Sequence, residues 1–233
     1  MEYPPTIFEF GPSAIPVMFQ TFAAAIVLVT LVAVVVRRDL ARAEGGGVVP
    51  SPHFTLRNVV EILLEAIASL MRDTIGPSWP KYLPLIGTMG LFILVSNLMG
   101  LVPFGAGPTS YIETNLCWAI MAFALAEYVA FREQGPVNYL KHLMGPVLWL
   151  APLMLVVEVV SHASRLLSLS VRLTGNMFAD HTLVAVFLSF AGINLFVPWI
   201  FMGLGLFVAF LQAFIFSFLT IIYIGQALED AHH

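Results

Sequence analysis

The sequence predicts an all-α integral membrane protein with five transmembrane helices and one amphipathic surface helix, in a single membrane domain spanning residues 1–233. Three observations predict it. The chain is 59% hydrophobic and only 10% charged, where a soluble domain carries about 25% charged residues. Its apolar residues fall into runs that reach the roughly 20 residues needed to cross a bilayer. Between the first two runs lies a segment in which apolar and polar residues alternate at helical spacing.

Residues 1–16, MEYPPTIFEFGPSAIP, form an outer tail. It has no positively charged region and no small-residue cleavage site, so neither a cleaved signal peptide nor an Arg-rich transit peptide is expected. The first span covers 17–36. EGGGVVPSP, residues 44–52, is a flexible lead into the helix over 54–73. There Leu56, Val59, Val60, Leu63, Leu64, Ile67, Leu70 and Met71 share one face. Arg57, Asn58, Glu61, Glu65, Ser69 and Arg72 take the other. Such a stripe predicts a helix lying on the membrane surface. The second span covers 81–102 and the third 112–131. The fourth, 148–190, and the fifth, 195–227, exceed one perpendicular crossing, so they must tilt, bend or lie partly along the membrane.

The ten basic residues set the orientation. Arg37, Arg38, Arg42, Arg57, Arg72 and Lys81 fall between the first two spans, and Arg132 and Lys141 between the third and fourth. Arg165 and Arg172 lie within the fourth. Basic loops stay in the cytoplasm. The N-terminus is therefore expected outside, the C-terminus in the cytoplasm, and the surface helix on the cytoplasmic leaflet.

The fourth span carries the chemistry. Glu158, Ser161, His162, Arg165, Ser168, Arg172, Asn176 and Asp180 follow one another mostly at three or four residues, which places them on one face. At ~1.5 Å per residue that stripe runs about 33 Å, the thickness of a hydrocarbon core of roughly 30 Å. Ser164, Ser170 and Thr174 are the small polar residues that commonly cement helix packing. The ionisable residues need another reason, because an arginine at the bilayer centre costs at least ~2.5–3.5 kcal/mol. Arg172 has Leu169, Ser168, Gly175 and Asn176 as helical neighbours and no carboxylate among them. Glu113 and Glu127 lie toward opposite ends of the third span, and the fifth offers Gln212, Ser217, Thr220 and Tyr223. A counter-ion for Arg172 is thus expected from another polypeptide. Glu158, Ser161, His162, Arg165 and Ser168 lie on its cytoplasmic side, and Asn176, Asp180 and His181 on its outer side. Two polar half-paths meet at a charge that repels a passing cation and does not relay a proton.

These residues carry a resemblance. SLSVRLTGNMFADHTL, residues 168–183, resembles the signature of the subunit a family of the rotary F-type ATP synthase, bacterial type. VSNLMGLVPFGAGPTSYIETNL (95–116) and LQAFIFSFLTIIYI (211–224) resemble two further signatures of that family. The resemblance implies a stationary, non-catalytic subunit that conducts protons beside the c-ring. Arg172 would be the essential arginine facing the c-subunit carboxylate, with Gln212 opposite it on the last helix. Asn176, His181 and Asn97 would belong to the outer half-channel, and Glu158 and Ser168 to the cytoplasmic one. The two over-long spans would form a steeply tilted hairpin around the rotor. The resemblance also implies c-ring subunits, b-type peripheral stalk subunits and the other ATP synthase subunits as partners, in the bacterial plasma membrane.

The sequence departs from the family pattern in the outer half-channel. No ionisable residue stands near Gly203 and Gly205 to pair with His181, and Asp180 replaces a usual glycine. On that resemblance Asp180 would stand in as the outer relay acid. Tyr111 and Glu113 occupy places where the family often has aspartate and asparagine, and the resemblance would count Glu113 in the same outer lining.

No cofactor is called for: there is no HExxH, no phosphate-binding loop and no nucleotide-binding glycine pattern. His53 and His142 are expected to be solvated in loops, and His232 and His233 to be tail residues. A secondary transporter holding an anion at Arg172 would show internal repeats or matching broken helices, and neither is visible. An intramembrane hydrolase built on Asp180, His181 and His162 fails on the separation of its histidines, about 28 Å at full helical rise. Sodium in place of protons is the nearer alternative, and the scatter of titratable groups, including His181, favours protons.

Overall fold

A computed structural model describes residues 16–42, 55–101, 107–135, 139 and 196–229, together with scattered positions between 152 and 186. Helices α1 (Val17–Arg42), α2 (Leu56–Ile75), α3 (Trp79–Leu101), α4 (Ile112–Gln134) and α5 (Phe196–Glu229) account for nearly all of it. Short 3-10 turns stand at Gly76–Ser78 and Pro108–Ser110. Among the described residues there is no strand. Four helical stretches are long and apolar enough to cross a membrane: Val17–Ala41, Leu56–Leu101, Ile112–Gln134 and Met202–Leu228. The protein is a multi-pass helical membrane protein. In hydrocarbon every backbone N–H needs a partner inside its own segment, so even the Val-rich α1 is helical.

α3 is the centre of the bundle. One cluster joins its Ile86 to Met71 and Ile75 of α2, Ala126, Val129 and Ala130 of α4, and Ile221 and Ile224 of α5. A second joins Met89, Ile93 and Leu94 to Ala119, Ala122, Ala213 and Phe216. Glycines permit the closeness. A Cβ on Gly90 would lie 2.5 Å from Ser217 Oγ, and one on Gly225 would lie 2.7 Å from Thr74 Cγ2. On α4 the contact face is alanine at helical spacing, the small-residue packing by which helices associate in lipid. α1 contributes only a narrow strip: Thr21 and Ala25 are fully buried and Phe22 meets Phe92 at 5.4 Å. The rest of α1, from Phe19 to Val35, exposes large apolar side chains suited to lipid.

The apolar stripe of α2 is used differently from a helix resting on lipid alone. Gly76, at φ 68°, turns the chain, and Arg72 sits 5.3 Å over the Trp79 ring across that turn. α2 and α3 then fold back on each other, with Leu64 against Gly87 and Ile67 against Gly90. Met71 and Ile75 are buried by protein, while Leu56 and Ile62 stay exposed. The glycine-rich lead 44–52 lies outside the described residues.

Three contacts fix helix directions. Asn97 Nδ2 donates to Ala209 O and Gly90 faces Ser217, so α3 and α5 are antiparallel. Gln134 Nε2 donates to Ala227 O, so α4 and α5 run parallel with their C-terminal ends together. For α5 to start at the opposite end, the chain between α4 and α5 has to return across the bundle. The fourth span expected over 148–190, described only at scattered positions between 152 and 186, would supply that return. At ~1.5 Å per residue the 34 residues of α5 extend about 51 Å, well beyond a core of roughly 30 Å.

Candidate functional site

The described part of the fourth span is helical at each position, and three side chains bond back one turn as helical hydroxyls do. Ser164 Oγ donates to Val160 O, Thr174 Oγ1 to Ser170 O and Thr182 Oγ1 to Phe178 O. The segment has two unlike faces. Ser170 is 2% exposed, whereas Leu167 and Val171 are 59% and 57% exposed, and Ser168, Arg172 and Gly175 share that exposure. Arg172 therefore stands on the open side of the segment. Among the described residues no carboxylate pairs with it.

The two acids of α4 are elsewhere. Glu113 is exposed in the first turn of α4, where the positive end of the helix dipole favours a carboxylate. Glu127 accepts a hydrogen bond from the Tyr139 hydroxyl. Ser161 is half-buried and Ser168 exposed. Glu158, His162, Arg165, Asn176, Asp180 and His181 lie outside the described residues.

Asn97 and Gln212 are both buried, at 2% and 5%. Asn97 reaches across from α3 to Ala209 O at 3.3 Å, one turn from Gln212 on α5. The site residues on α3 and α5 are thus brought to neighbouring turns of one interface.

Sequence reasoning passed over a second polar group at the end of the bundle formed by the α3–α4 connection. Asn115, fully buried, donates from Nδ2 to Thr109 O at 2.7 Å and to Thr174 Oγ1 at 2.8 Å. Ser96 Oγ, Asn97 Oδ1, Thr109 Oγ1, Asn115 Oδ1 and Trp118 Nε1 are buried with no hydrogen-bond partner among the described residues. Such groups are rare in native interiors, and ordered water commonly satisfies them. The signal available in the sequence was an asparagine one turn into an apolar span, three positions from a tryptophan.

Comparison with known proteins matches almost the whole chain. A family model described as ATP synthase A chain matches residues 17–225. ATP synthase subunit a 2 of Syntrophotalea carbinolica is 42% identical over 202 residues, covering 87% of this chain and 84% of that protein. ATP synthase subunit a of Bdellovibrio bacteriovorus is 37% identical over 212 residues, 91% of each chain. ATP synthase subunit a of Desulfosudis oleivorans is 43% identical over 177 residues, 76% of each chain. With its long apolar helices, its outward Arg172 and the buried Asn97 and Gln212 on facing helices, the chain belongs to the ATP synthase A chain family.

Proposed function

We propose that this protein is the stationary proton-conducting subunit of the membrane sector of a bacterial ATP synthase, and that Arg172 separates its two half-channels. The subunit performs no bond chemistry itself. It lies in the plasma membrane with its N-terminus outside and C-terminus in the cytoplasm, against c-ring subunits, b-type peripheral stalk subunits and the rest of the complex.

The observation that carries the reading is the position of Arg172. Arg172 is exposed, on the face opposite the buried Ser170, with no carboxylate partner among the described residues. An unpaired charge in hydrocarbon is costly. A carboxylate arriving on the rotor relieves that cost and is held ionised by the guanidinium. The proton it releases leaves by Glu158, Ser161, His162, Arg165 and Ser168 on the cytoplasmic side. Its replacement enters on the outer side by Asn97, Glu113, Asn176, Asp180 and His181. Gln212 hydrogen-bonds in the layer facing Arg172. The buried polar atoms left without a partner near the α3–α4 connection suit a file of water on the outer route.

The barrier matters because each charge crossing is worth ~2.3 kcal/mol per 100 mV, and a joined path would dissipate it without rotation. ATP-driven acidification of inverted vesicles tests the reading. At matched complex content Arg172→Ala is expected to abolish pumping, and pumping at the wild-type rate would overturn the role of Arg172.

A further inference from the structure

The hydrogen bond between Asn115 and Thr174 has a consequence for Arg172. Thr174 is two residues beyond Arg172, and at about 100° per residue their side chains leave the helix some 200° apart. Pinning Thr174 inward onto α4 therefore turns Arg172 outward. Burial agrees: Ser170, four residues before Thr174 and on its face, is buried, while Arg172, Ser168 and Val171 are exposed.

The anchor is itself held twice. Asn115 Nδ2 spends one hydrogen on Thr174 Oγ1 at 2.8 Å and the other on Thr109 O at 2.7 Å, in the turn before α4. Thr174 Oγ1 accepts from the amide and donates its own hydrogen to Ser170 O at 3.0 Å. The chain of bonds runs from the α3–α4 connection through α4 into the backbone that carries Arg172.

We infer that Asn115 is a positioning residue: through Thr174 it fixes the rotation and height of the Arg172 segment against α4, so that the guanidinium faces the rotor. The inference rests on the reading of Arg172 given above and adds the device that orients it. Thr174→Val keeps the shape of threonine and deletes both the acceptor and the donor. Thr174→Ser keeps both. Asn115→Leu deletes the donor from the other side.

Orientation can be read without reference to pumping. The single cysteine, Cys117, is exposed, so a Cys117→Ser background carrying Ser170→Cys reports on the buried face alone. The assembled complex in vesicles is treated with N-ethylmaleimide, a small membrane-permeant thiol reagent. Thr174→Val and Asn115→Leu are expected to label at position 170 several-fold faster than the parent and Thr174→Ser. They are also expected to transport several-fold fewer protons per ATP hydrolysed, with the double variant no worse than either single one. Equal labelling in Thr174→Val, Thr174→Ser and the parent would overturn the inference. Should Asn115→Leu not assemble, the threonine pair decides alone. Normal pumping by Arg172→Ala would instead overturn the role of Arg172 and leave the labelling result standing.

Discussion

Asn97 on α3 and Ala209 on α5 are joined by a hydrogen bond of 3.3 Å from the Asn97 amide to the Ala209 carbonyl, in an interface where α5 also buries Gln212 and Ser217. A carbonyl already within a helix ladder gains a second donor there. The bond also sets the height of Gln212, one turn along α5. Replacing Asn97 by alanine removes the bond and leaves a small cavity, a loss on the order of 1–3 kcal/mol. The expected outcome is a lower thermal midpoint of the purified complex and reduced ATP-driven pumping, measured together on one preparation.

Gly90 and Ser217 predict a rescue. A methyl group at position 90 would meet Ser217 Oγ at 2.5 Å, whereas the Ser217 Cβ is at 3.8 Å, an ordinary contact. Gly90→Ala is therefore expected to destabilise by about 1–3 kcal/mol through overpacking. Adding Ser217→Ala removes the obstructing oxygen and should restore most of the loss. Thermal unfolding of the two single variants and the double variant checks this as a cycle.

Gly76 and Gly135 end α2 and α4 at φ 68° and 75°, with ψ −149° and 157°. That region is essentially glycine-only, and another residue costs of order 1–3 kcal/mol there. Nothing lies within 4 Å of a Cβ at either position, so the penalty is backbone strain alone. Gly135→Ala and Gly135→Val are predicted to destabilise by similar amounts in the same unfolding assay, since side-chain size has nothing to strike.

Arg172→Lys tests whether charge alone suffices. A lysine keeps the charge but lacks the planar fork and can lose its proton when desolvated. The expected pumping rate is below about a tenth of wild type at matched complex content. A rate near wild type would mean that the guanidinium geometry is immaterial.

Much of the helical architecture was legible because hydrocarbon enforces it: an apolar run near 20 residues long has few alternatives to a helix. The ends were less so. Hydropathy stops the first span at Val36, yet α1 continues through Arg37, Arg38 and Arg42. Nothing there breaks a helix, and basic residues suit its C-terminal end. α4 likewise runs past Phe131 to Gln134 and stops only where Gly135 reverses φ. The stripe of α2 was visible, but what covers it was not, since periodicity shows that a face is apolar without saying whether lipid or protein meets it. Met71 and Ile75 meet α3, α4 and α5. Arg172 declared itself as a charge in an apolar stretch. Asn115 and Thr174 did not, because a small polar residue in a span reveals its meaning only through its partner, and that partner is 59 residues away.

The most direct measurement is passive proton conduction through the membrane sector after its rotor has been cross-linked to the stator, with the catalytic sector removed and a potential imposed. If Arg172 separates two half-paths, the wild-type flux depends on rotation and stops. In Arg172→Ala the half-paths join, and flux is predicted to continue through the locked rotor. Conduction that stops equally in both proteins would contradict the account, because the path would then be broken by something other than the charge at position 172.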